Sequence, residues 1–188
     1  MPISHVVAEV AGTVTIAGSW SAVGGTAQVC LATNGDGKYL TATSPFIAPG
    51  NIKGVNHGFA LPADAYDLAI EFNISAKKTG TNTMALSPML TKDGTTVSNT
   101  WPDIELTTSY ALYGAGFFYG YTYAEVNAAT FGFMLKPKAG GTGTPSIQVD
   151  HVIMYITYWT PGVIDPPPPP PGNVRDLSNP FMRIPPLR

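Results

Sequence analysis

Nowhere in these 188 residues does an apolar stripe persist at helical spacing, because glycine, proline and β-branched residues interrupt every long window. What persists is alternation at spacing two. Leu68, Ile70, Phe72 and Ile74 fall on one side of Tyr66–Lys77, which predicts a half-buried strand. Val10, Gly12, Val14 and Ile16 alternate likewise and predict a first strand over 10–16. Asn34-Gly35-Asp36-Gly37 predicts a hairpin turn between Thr26–Thr33 and Lys38–Thr43, since both dipeptides accept the positive φ of tight turns. Lys92-Asp93-Gly94 predicts a second, between Met84–Leu90 and Thr95–Val97. Thr130–Leu135 and Ile147–Trp159 complete the series, the latter apolar on both faces as a central strand is. Strands at this spacing, with no helix, predict an all-β fold: an antiparallel, jelly-roll-like β-sandwich carrying an extended proline-rich C-terminal arm.

The expected organisation is an N-terminal strand or arm over 1–24, hinged at Gly24-Gly25, a sandwich domain over 25–160, and a tail over 161–188. Six consecutive prolines, Pro166 to Pro171, favour a polyproline II rod of about 19 Å with no internal hydrogen bonds. All three arginines lie beyond it. Val174, Arg175, Leu177, Phe181, Met182, Arg183, Ile184, Leu187 and Arg188 interleave apolar anchors with guanidinium groups. So short and proline-rich a segment cannot bury enough apolar surface to fold alone, so it is expected to order on a partner.

Charged residues make up only 12% of the chain, about half the usual share. Residues 1–164 set seven lysines against ten acids, a net −3, which argues against nucleic acid as a partner. The longest apolar run falls short of the ~18 residues of a membrane span, and Met1-Pro-Ile-Ser-His lacks the features of a signal peptide. Assembly in a host cytoplasm, with no membrane partner, is the expectation.

Catalytic, metal and cofactor sites are expected to be absent. One cysteine and three separated histidines do not make a zinc set. Asp36 and Asp93 precede glycines, as turn residues do, without the acidic ladder of a calcium loop. Asp150-His151 is the one adjacent acid–imidazole pair, but strand neighbours point to opposite faces, which predicts a strand-edge polar pair. The aromatic cluster after Tyr110 is the candidate contact surface: Tyr113, Phe117, Phe118, Tyr119, Tyr121 and Tyr123 could stack on sugar rings or enter a protein interface.

Five motifs carry a resemblance: Trp101-Pro102, Tyr110-Ala-Leu-Tyr113-Gly114, Tyr119-Gly120-Tyr121, Asn127-Ala-Ala-Thr-Phe131-Gly132, and Val149-Asp150-His151-Val152 running to Tyr158. With Gly58-Phe59-Ala60-Leu61-Pro62, they resemble the jelly-roll-like β-sandwich module of tailed-bacteriophage virion proteins, over roughly residues 26–160. Such modules often carry tryptophan where this chain has Tyr119 and Tyr121. The resemblance implies a non-enzymatic structural protein of the virion. The first expectation is a trimeric capsid decoration (cement) protein on the capsid surface, bound to the major capsid protein or another virion protein through its arms. The alternative is a receptor- or glycan-binding module of a tail or head fibre, with a glycan as partner.

Overall fold

The structure is a computed structural model. It describes residues 2–43, 50–118, 120–140 and 145–162, and of 117, 118, 139 and 140 the backbone alone. The proline-rich tail beyond Gly162, with every anchor and arginine named above, lies outside the described residues, as does Tyr119.

Two antiparallel sheets pack face to face. The first runs β10 (Ala111–Phe118), β6 (Tyr66–Lys78), β12 (Ser146–Thr160), β4 (Tyr39–Thr43), β3 (Trp20–Val23), with β1 (Ile3–Val10) also paired to β12. The second runs β2 (Thr13–Ile16), β5 (Ile52–Val55), β11 (Gly132–Gly140), β7 (Thr83–Thr91), β8 (Val97–Thr100), with β9 (Ile104–Glu105) also on β7. The chain is a jelly-roll-like β-sandwich.

The alternating strands form because one face of each meets the facing sheet. Ile70, Phe72 and Ile74 of β6 and Leu86, Leu90, Phe133 and Leu135 of β7 and β11 are fully buried between the layers. Phe72 and Phe133 meet across the layers at 5.8 Å between ring centroids, tilted by 58°. Each such side chain contributes about 1.5–3 kcal/mol by leaving water. β12 is central, as its two apolar faces predict: β6 lies along one side, and β4 and then β1 lie along the other.

Three expectations are corrected. The predicted strand over 10–16 is two strands in different sheets. Gly12 donates to the Asn56 carbonyl at 3.0 Å, and a Cβ there would stand 2.4 Å from that oxygen, so the chain crosses between layers at this close approach. Of the strand or arm expected over 1–24, the strand is what is found: β1 pairs with β12 over its full length, and β2 and β3 join opposite sheets. Thr26–Thr33 is not a strand but the helix α1 (Ala27–Ala32), with the Thr26 hydroxyl accepting from Val29 N–H at 3.4 Å. Ala27, Cys30 and Leu31 face the core at helical spacing. A second helix, α2 (Tyr123–Val126), carries a capping box between Thr122 and Glu125. The Asn34–Gly37 turn therefore joins a helix to β4 rather than closing a hairpin.

The Lys92–Gly94 turn does join β7 and β8. Asp93 Oδ1 accepts from Thr95 N–H (2.8 Å) and Thr96 N–H (2.7 Å), so turn chemistry occupies this acid. Those donations, led by Thr96, hold its carboxyl well below the usual carboxylate range.

Candidate functional site

The first sheet has one irregularity in its centre. Val149 pairs with Ala76 and His151 with Ser75, so Asp150 is an extra residue, a β-bulge in β12. The bulge leaves Val149 and Asp150 both buried, at 0% and 4% exposure. Strand alternation therefore fails at this point, and Asp150-His151 is a central bulge rather than a strand-edge pair. Asp150 Oδ2 accepts from Gly35 N–H at 2.7 Å. That N–H is presented by the turn after α1, where Gly35 and Gly37 have φ of 77° and 80°, conformations that disfavour a side chain. Asp36 ties the same turn to Lys38, accepting from its N–H at 2.9 Å and its Nζ at 2.7 Å.

Asp150 lines a cavity of about 410 Å³ with Asn34, Tyr39, Lys77, Tyr110 and Gln148. The walls come from three neighbouring strands and the segment before β10. Tyr110 donates its hydroxyl to Gln148 Oε1 at 3.2 Å, and Lys77 Nζ lies 4.4 Å from the centre of the Tyr110 ring. Burial pushes the Tyr110 hydroxyl up to about 12, helped by the charge of Asp150, so it remains a donor at working pH. His151 is held below its ordinary value by burial, against the opposing pull of Asp150.

A carboxylate offers about four acceptor positions, of which Gly35 takes one. The cavity thus combines a negative acceptor, two side-chain amides that both donate and accept, an ammonium, and two phenol rings. Such a set recognises hydroxyl-rich, partly apolar ligands by hydrogen bonds at the edges and ring contact on the flat faces.

The aromatic surface expected from the sequence is largely structural where its side chains are described. Tyr113 accepts from Thr107 N–H at 2.9 Å and packs against the core. Tyr121 is 8% exposed, edge-on to Phe131 at 5.8 Å, with Lys92 Nζ 4.9 Å from its ring centre. Tyr123 opens α2, half-buried against the core. The side chains of Phe117, Phe118 and Tyr119 lie outside the described residues. Sequence reasoning missed Tyr39 and the role of Asp150. The available signal was an acid interrupting the longest apolar strand.

Among the described residues, no group of three or more His, Cys, Asp or Glu stands together as a metal set. Nor is any described helix long and apolar enough to cross a membrane.

No protein-family profile and no curated protein matches the chain. Among solved structures, TmCBM61 in complex with β-1,4-galactotriose is similar at 9% identity and a TM-score of 0.43, over 77% of this chain and 88% of that one. A family 29 carbohydrate binding module from Piromyces equi is similar at 14% identity and 0.37, over 85% and 91%. The enzymatically active domain of tailspike protein 4 of bacteriophage CBA120 is similar at 9% and 0.40, over 80% of this chain and 19% of that one. At these scores and identities the likenesses assign neither family nor function.

Proposed function

We propose that the protein is a non-catalytic glycan-binding module whose ligand enters the Asp150 cavity. The observation that carries this reading is a carboxylate buried at the bulge of a central strand and lining a cavity walled by Tyr39 and Tyr110. Burying a carboxylate is costly unless its acceptor sites are used. Gly35 uses one site, and sugar hydroxyls supply donors for the others. The faces of Tyr39 and Tyr110 complement the C–H faces of a pyranose, while Gln148 and Asn34 reach its edges. The setting is a phage tail or head fibre, in keeping with the virion resemblance, and the partner is a surface glycan. Capsid decoration draws on the tail beyond Gly162, and no described residue favours it.

The test is a glycan array followed by titration calorimetry of the positive glycans. Asp150→Ala and Tyr110→Ala each lower affinity by roughly 10- to 100-fold, matching the loss of about 1.5–3 kcal/mol from a hydrogen bond to a charged group. Asp150→Asn, which keeps an acceptor for Gly35, checks that the loss belongs to the site and not to unfolding. An array without a positive glycan, or variants that bind as the wild type does, sinks the reading.

A further inference from the structure

The end of β12 far from Asp150 carries exposed apolar side chains on the outer face of the first sheet. There Tyr155, Thr157 and Trp159 alternate with the buried Met154, Ile156 and Tyr158. β1 sets Ala8, Val6 and Ser4 against those three outward residues, and β6 sets Glu71, Ala69 and Tyr66. Tyr66 holds this place because the ladder slips between Thr157 and Trp159, where Asp67 has a φ of 50°. Without that bulge, Tyr66 would share the buried face of Leu68 and Ile70. A positive φ is uncommon outside glycine, and here it turns a phenol out beside an indole. Tyr66, Trp159 and Val6 are 39%, 37% and 63% exposed. Trp159 and Tyr155 stand about 13 Å apart along the strand. Between them Thr157, Ala69 and Val6 are shorter than the rings, so aromatic side chains bound a shallow trough.

We infer that this trough seats the proline run of the same chain, Pro166–Pro171. The described residues end at Gly162, so the chain leaves from the trough's own end, and Pro161-Gly162 is a dipeptide suited to reversal. Residues 160–165 separate Trp159 from the first proline and extend to roughly 20 Å, enough to turn back over the indole. Six prolines in the polyproline II conformation span about 19 Å, more than the distance from Trp159 to Tyr155. Such segments dock in aromatic-lined grooves because the helix is already formed and loses little entropy. The run has no N–H to satisfy, which suits a trough whose polar side chains are few: Ser4, Thr157 and Glu71. The short tether favours the run of the same copy over a neighbour's. Its effective concentration is on the order of millimolar, so an affinity of that order keeps the seat filled in a monomer. The seat is separate from the Asp150 cavity and does not depend on the glycan reading.

The full chain with Pro166–Pro171 replaced by six serines tests this, read by NMR at the indole N–H of Trp159. Trp159→Phe identifies that signal among those of Trp20, Trp101 and Trp159. In the serine chain the Trp159 signal moves. Its broadening by a soluble nitroxide rises roughly twofold or more, as emptying a seat filled in at least half of the molecules requires. Unmoved Trp20 and Trp101 signals confirm that the fold is kept. Tyr155→Ala, about 13 Å from the indole, produces part of the same rise in the proline chain and none in the serine chain. Each readout stays the same on dilution. A serine chain whose Trp159 is as protected as the wild type's overturns the seat, and protection that fades on dilution overturns it in favour of a neighbouring copy's prolines.

Discussion

His57 makes the stability of this sandwich depend on mild acid. The ring is 5% exposed, stacked on Phe59 at 5.5 Å and tilted against Phe133 at 5.8 Å. Its Nδ1 reaches the Glu9 carbonyl at 3.4 Å, while Nε2 is buried without a hydrogen-bond partner. A second proton would place a charge at that orphaned nitrogen. Burial therefore lowers the imidazole from 6.5 to about 4, against the weaker pull of the Glu9 and Gly54 carbonyls. Because the folded value lies below the unfolded one, the unfolded chain binds the extra proton first. The stabilisation is complete above about pH 6.5 and is lost as pH falls towards about 4. Two and a half pH units at about 1.4 kcal/mol each give about 3 kcal/mol in all, of which about 2 is gone at pH 5. Urea unfolding at pH 7.5 and pH 5 measures it, above the range where carboxylates titrate. His57→Phe, which keeps the stack, should flatten most of this difference; His151→Gln, at a less buried ring, should flatten less. A wild-type protein equally stable at both pH values, or a His57→Phe protein that keeps the full loss, refutes the reasoning.

Close backbone approaches predict intolerance at two glycines. A Cβ on Gly132 would stand 1.9 Å from the Gly54 carbonyl oxygen, and one on Gly54 would stand 2.4 Å from the Phe133 ring. Gly132→Ala and Gly54→Ala should each cost roughly 1–3 kcal/mol in urea unfolding. Cys30 is fully buried on α1, its thiol donates to the Val23 carbonyl at 3.4 Å, and burial pushes its pKa up. Labelling by a disulfide reagent at pH 8 should therefore follow the unfolding rate, and labelling of the native protein within the mixing time contradicts that.

Legibility followed burial. β6, β7 and β12 could be read because each meets the core on at least one face, so spacing two is imposed on their sequences. The helix α1 could not, since six residues make under two turns and Val29-Cys30-Leu31 suits either period. β1 was hidden for the opposite reason. Most of its side chains are exposed, with Val6 at 63%, so its place comes from backbone pairing to β12, which leaves no hydrophobic pattern. In β10 the outward glycines erase alternation on one face. The site was least legible of all. Tyr39, Lys77, Tyr110 and Asp150 lie far apart in sequence, and three strands and a turn bring them together.

The bulge at Asp150 explains why the site lies where it does. Before it, Ile147 and Val149 are buried; after it, Val152, Met154, Ile156 and Tyr158 are. The first pair is odd-numbered and the second set even-numbered, so an unbroken strand would turn one group or the other out to solvent. The extra residue lets both halves of β12 face the core. It also falls where the neighbouring strand changes: β4 pairs with β12 through Val149, and β1 begins at Ile153. At residues 150–152 that side of β12 has no strand partner in either ladder, and the Gly35 N–H fills part of the gap. At that interruption Asp150 meets the turn after α1 and lines the cavity. Fold and binding reading thus share one cause, a single residue inserted into the longest strand.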